Sequence, residues 1–112
     1  MKNGILSYHL YLAFKDRLEF AKIEYPEFLD ICLNSLMNAG LNLYNSALIG
    51  INQNLSEVEL HAVYEYLMGQ KQLVSISKKL SKSKKFQLSL LGFNRFIYNI
   101  SYRMFNKIRI LF

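Results

Sequence analysis

No acidic residue follows Glu65 in this 112-residue chain, and cysteine, proline and glycine are scarce: one, one and five. Each shortage excludes something. The lone Cys32 rules out a disulfide framework and a zinc site built mainly of thiolates. Free cysteine is among the most buried residue types, so a small buried side chain is expected there. A cytoplasmic location, peripheral to a membrane at most, is compatible with it. One proline and five glycines leave too few turn signals for a sandwich or barrel, which needs one every 8–12 residues or so. Hydrophobic residues make up 52% of the chain and charged ones 20%. That excludes wholesale disorder. The length suits one domain with a single core. The expectation is an all-α fold: one domain over residues 1–112, a compact bundle of four to five helices.

What is present is a charge split. All eight acids lie at or before Glu65, with only Lys2, Lys15, Arg17 and Lys22 as bases among them. Residues 66–112 carry ten bases and no acid. Such a localised field attracts phosphates, anionic lipid or acidic protein surfaces.

Lys2 and the apolar stretch from Gly4 to Phe14 faintly resemble a signal peptide. His9 and the aromatics interrupt that stretch, and no small-x-small cleavage site follows. A first helix over about Ile5–Glu24 fits better, with Leu6, Leu10, Phe14, Leu18 and Ala21 as its apolar stripe. Tyr25-Pro26 ends it, since proline disfavours helical geometry in the residue before it. Pro26 then suits the start of a second helix, with Glu27 and Asp30 well placed against the dipole.

From Ile31 to Ser56 there is no charge. On one helix, Asn34, Asn38, Asn42, Asn45 and Asn52 fall within an arc of about 80°. The asparagines argue against a membrane span. A central bundle helix is expected, broken or not at Gly40. Asn34, Asn38, Asn45, Ser46 and Gly50 form a candidate self-interface, and the Ser46/Gly50 spacing suits close helix packing in a homodimer.

Ser56 and Glu59 form a capping box, flanked by Leu55 and Leu60 as a hydrophobic staple. A helix therefore starts at Glu57 and runs past Met68, with Gly69 weakening its end. Residues 75–85, rich in Ser and Lys, read as a solvated basic loop. A basic amphipathic helix follows over about 86–111. Phe93, Ile97, Ile100, Met104, Ile108 and Leu111 line one face; Arg95, Asn99, Arg103, Asn106 and Arg109 line the other.

No catalytic constellation is visible. Glu57, His61 and Glu65 share a helix face, but no second copy of such a stripe exists to complete a metal site. Asp16 and Glu19 sit among cations as an ion-pair surface. There is no phosphate-binding glycine loop and no nucleophile elbow. A helix-turn-helix over residues 72–98 fits poorly, because its turn lacks a glycine and lysines fill places that need apolar residues. A binding protein, with no enzymatic activity, cofactor or metal, is expected.

The candidate anion-binding residues are Lys78, Lys79, Lys82, Lys84, Lys85, Arg95, Arg103 and Arg109. Nucleic acid is the first expectation for their partner, since flexible cations suit phosphates and aromatics stack on bases. An anionic membrane surface is the second, because the last helix has the interfacial pattern. The format is similar to that of the immunity proteins that guard Gram-positive bacteria against their own pediocin-like bacteriocins. That likeness is one of size, charge and helicity, and implies a regulatory interaction protein at the inner membrane face. An adaptor or inhibitor of an acidic protein is the third.

Overall fold

The computed structural model describes residues 2–50 and 55–111, with side chains for 8–50 and 55–109. Six α-helices and no strand occur among them: α1 (Lys2–Glu24), α2 (Leu29–Leu48), α3 (Glu57–Gly69), α4 (Lys71–Ile76), α5 (Lys82–Phe93) and α6 (Arg95–Leu111). The all-α fold matches the expectation. The helix count exceeds four to five because a short α4 follows α3 directly and Asn94 divides the expected last helix in two.

The first reversal follows from Pro26. It opens a 3-10 turn, Pro26–Phe28, in which the Phe28 N–H donates to the Tyr25 carbonyl at 3.0 Å. α2 then folds back along α1, and this hairpin is the most extensive helix pair among the described residues. From α1, Tyr11, Leu18 and Ala21 are buried, while Leu10 faces solvent at 52% exposure. The expected stripe is therefore rotated, with Tyr11 in place of Leu10.

α2 is the central element. Leu33, Leu36, Met37, Leu41, Leu43 and Tyr44 are all buried on it. Each such leucine contributes roughly 1.5–3 kcal/mol of apolar transfer. Gly40 does not break the helix. It lets α3 approach: a Cβ built there lies 2.7 Å from Leu67 Cδ2. The stop comes at Gly50, whose φ of 79° is costly for any other residue.

The asparagine row is not one outward face. Asn34 and Asn38 are half-buried and bonded to each other, with Asn38 Nδ2 donating to Asn34 Oδ1 at 3.3 Å. Asn45 is buried, Ser46 half-buried, and Gly50 lies beyond the helix end, so no Ser46/Gly50 helical stripe forms. Asn52 lies outside the described residues.

α3 starts as expected. The Glu59 N–H donates to Ser56 Oγ at 3.1 Å, and the Ser56 N–H donates to Glu59 Oε1 at 3.0 Å. Leu60 is buried and Leu55 packs against the core. No helix among the described residues is long and apolar enough to cross a membrane.

Candidate interaction surface

Residues 75–85 are more ordered than a solvated loop. α4 runs to Ile76, and α5 begins at Lys82 with Ser81 as its cap, Oγ accepting from the Lys84 N–H at 3.2 Å. Ser77 and Leu80 are buried. The connection is pinned by Asp30 at the start of α2. Its carboxylate accepts from the Ser77 hydroxyl, from the Lys78 N–H at 3.0 Å and from the Lys79 N–H at 3.2 Å. These donors, the Ser77 hydroxyl foremost, hold the Asp30 carboxyl below the usual carboxylate range. Low complexity concealed this because the partner lies about 47 residues away in sequence.

The five lysines therefore sit at one structured corner. Lys78, Lys79 and Lys82 are exposed; Lys84 and Lys85 are half-buried. The Lys85 ammonium donates to the Ser77 carbonyl at 2.6 Å. Among the described residues, none of the five forms an ion pair with a carboxylate. Three of them occupy the first turn of α5, where the helix dipole disfavours cations by a few tenths of a kcal/mol or so each.

The α6 arginines are placed differently from the expectation. α6 is capped by Asn94, whose Oδ1 accepts from the Ile97 N–H at 3.1 Å. Asparagine is among the best N-cap residues, and it follows Gly92-Phe93; that was the signal for the break. The new helix direction turns its polar side onto α2. Arg95 Nε donates to the Tyr44 hydroxyl at 2.8 Å, and that hydroxyl donates to Asn99 Oδ1 at 2.8 Å. The Arg95 guanidinium also lies over the Tyr64 ring, 4.7 Å from its centroid. Tyr98 donates to the buried Asn45 Oδ1 at 2.7 Å. Arg103 Nε donates to the Leu48 carbonyl at 3.1 Å, supplying a partner and a positive charge at the C-terminus of α2. Arg95 and Arg103 thus serve as internal clasps. Arg109 is exposed, with Asn106 Oδ1 beside it at 3.4 Å.

Positions 95, 98, 99 and 102 recur at helical spacing and pack inward, and the exposed Arg103 reaches back to α2 from the same side. The other side of α6 consequently points to solvent. On it Phe96 is 72% exposed, Phe105 62% and Met104 58%, with Ile97, Ile100 and Ile108 also exposed, and Phe93 at the end of α5 is 83% exposed. Leu111 lies outside the described side chains. Lys107 is exposed three residues from Met104 on this same side. It was not among the candidate cations, because its membership of the apolar side only matters once that side is known to face out.

Other candidates resolve into structural contacts. His61 is occupied at both ring nitrogens, Nδ1 by Arg95 Nη1 at 2.9 Å and Nε2 by Glu65 Oε1 at 3.1 Å. With Nδ1 accepting from the guanidinium, Nε2 carries the hydrogen. Among the described residues no group of three or more His, Cys, Asp or Glu comes together. Glu19 accepts from the Tyr66 hydroxyl and from the Lys22 ammonium at 2.9 Å, and these hold its carboxyl low. Lys22 reaches on to Gln70 Oε1 at 2.7 Å, so the acid pair region fastens α1 to the end of α3. A second exposed aromatic cluster, Phe20, Tyr25 and Phe28, lies at the α1–α2 turn, and its nearest cation in sequence, Lys22, is spent on Glu19 and Gln70. No protein-family model, curated protein or solved structure matches the chain.

Proposed function

We propose that the protein is a non-enzymatic binding protein that docks on an anionic membrane surface through the outer side of α6. The observation that carries this is the inversion of α6: its hydrogen-bonding side faces α2 and its Phe, Ile and Met side faces water. An isolated exposed leucine needs no explanation, but a continuous apolar helix side bordered by cations does. Lys107 and Arg109 lie on the free surface of α6, and no acid follows Glu65 to oppose a negative lipid headgroup. An apolar side for the acyl boundary and cations for the headgroups is the interfacial arrangement. Vesicle co-sedimentation is the test. Retention on phosphatidylglycerol vesicles, weaker retention on phosphatidylcholine vesicles and release by salt are expected. Equal recovery in the supernatant with both would remove the reading.

The lysine corner favours a second reading, nucleic-acid binding. Lys78, Lys79 and Lys82 are exposed and free of carboxylate partners among the described residues. Phosphate contacts by such lysines give affinity that falls steeply with salt. The exposed aliphatic residues of α6 have no role in that reading, which places it second. Fluorescence anisotropy with labelled RNA and DNA, with wild-type protein and the Lys78→Glu/Lys79→Glu/Lys82→Glu variant, decides it. Affinity that the triple variant leaves unchanged would exclude the corner.

A further inference from the structure

The side of the molecule between α3, α4 and α5 does not close over. It leaves a groove of about 760 Å³. That size falls within the roughly 300–1,000 Å³ of small-molecule sites. The groove is apolar inside: Leu67, Val74 and Leu88 are buried core residues that also line it, with Met68 along the side. Its polar groups are few. They come from Lys71, Lys85, Ser75, Ser89 and Tyr64, and among the described residues no carboxylate lines it. Ser75 is already donating to the Gln72 carbonyl at 2.7 Å. Lys85 spends one N–H on the Ser77 carbonyl and keeps two. Lys71 is exposed and makes no side-chain hydrogen bond or ion pair among the described residues.

The chemistry of this lining is one-sided. An apolar slot with two cations and no anion fits a molecule that is apolar along its length and singly negative at one end. We propose that the groove binds one long-chain fatty acid, with its alkyl chain along Leu67, Val74 and Leu88 and its carboxylate against Lys71 and Lys85. The slot's confinement by three helices suits one chain rather than a two-chain lipid. Gly92 and Met68 meet closely at its wall: a Cβ built at Gly92 lies 3.0 Å from Met68 Sδ, so a side chain there would make Met68 shift. The proposal does not rest on α6 meeting a membrane, and its test uses no bilayer.

The experiment is a methyl NMR titration of the full chain with monomeric laurate, held below micelle formation, beside the neutral dodecanol. Expected are saturable one-to-one shifts at the methyls of Leu67, Val74 and Leu88, with dodecanol weaker by about tenfold or more. Lys71 is exposed, so Lys71→Gln is expected to fold normally by circular dichroism and to weaken laurate about tenfold. Lys71→Arg is expected to keep binding, and Ser89→Leu, which narrows the slot, to lose it. Three results would each overturn the proposal: equal affinity for laurate and dodecanol, shifts confined to Ile97, Ile100 and Ile108 on α6, or no shift at all. Groove shifts that follow protein concentration without laurate would assign the groove to a second copy, and would overturn it too. Any of these failures leaves vesicle binding by α6 as a separate result.

Discussion

Arg95 Nε donates to the Tyr44 hydroxyl at 2.8 Å, and this bond sets which way α6 faces. Tyr44 is fully buried on α2, so its hydroxyl is a fixed point. Arg95 is the first residue of α6 and Asn99, one turn on, accepts from the same hydroxyl. Two contacts a turn apart fix the rotation of a helix about its axis. The aliphatic side is turned outward as a result.

Replacing Arg95 by leucine removes two hydrogen-bond donations and the stacking on Tyr64. Urea unfolding should show a loss of about 1.5–3 kcal/mol, with little change in the slope. Arg95→Lys should recover only part, because an ammonium cannot reproduce the planar fork. An unchanged midpoint for Arg95→Leu would mean that the clasp is not formed.

Gly40→Ala sets two effects against each other. Alanine gains about 1 kcal/mol of helix propensity over glycine. Its Cβ, however, meets Leu67 Cδ2 at 2.7 Å, and Leu67 is itself buried with little room to turn. Overpacking of this kind costs about 1–3 kcal/mol, so net destabilisation is expected. In a Leu67→Ala background the same change should become stabilising. A double-mutant cycle by thermal melting measures the coupling.

Asp30 gives an acid-side prediction. Its carboxyl is held low by the Ser77 hydroxyl and the Lys78 and Lys79 N–H groups. A depressed native value means that its stabilisation is complete above the unfolded value of about 4 and is lost as pH falls through the native one. Asp30→Asn should therefore cost about 1 kcal/mol at neutral pH, the solvated setting keeping the loss modest. The gap between wild type and variant should close as pH falls below about 4. Urea titrations across a pH series read both.

Tyr98 gives the alkaline counterpart. Burial pushes its phenol up to about 12, and burial raises Tyr11 as well. A raised native value favours the protonated state, so the contribution is full below the unfolded value of about 10 and falls as pH rises toward the native one. Phenolate absorbance from Tyr98 should appear only together with loss of helical ellipticity. Tyr98→Phe leaves Asn45 Oδ1 without its donor and should cost about 1–3 kcal/mol while flattening that alkaline decline.

Local signals were legible in the sequence and tertiary ones were not. Ser56 and Glu59 act within three residues of each other, and Pro26 acts on its immediate neighbour, so both ends of those helices could be read directly. The ordering of Ser77–Lys79 comes from Asp30 across the fold, and no local pattern encodes that bond. The facing of α6 was not legible for a related reason. Periodicity separates its aliphatic side from its arginine side but does not say which one meets the core. That choice was made by Tyr44 and Asn45 on α2, buried groups that need hydrogen-bond partners and find them on the arginine side. Of the eight candidate cations, the five lysines are gathered at one corner, Arg95 and the exposed Arg103 each bond to α2, and Arg109 stands apart on α6.

The most direct measurement places an environment-sensitive fluorophore on Met104→Cys in a Cys32→Ser background, with Glu57→Cys on α3 as the comparison site. Both positions are exposed. On phosphatidylglycerol vesicles the label at 104 should shift to the blue and become shielded from an aqueous quencher, while the label at 57 stays unchanged. A label at 104 that remains fully quenchable on vesicles that retain the protein, or a shift of equal size at 57, would contradict docking through the outer side of α6.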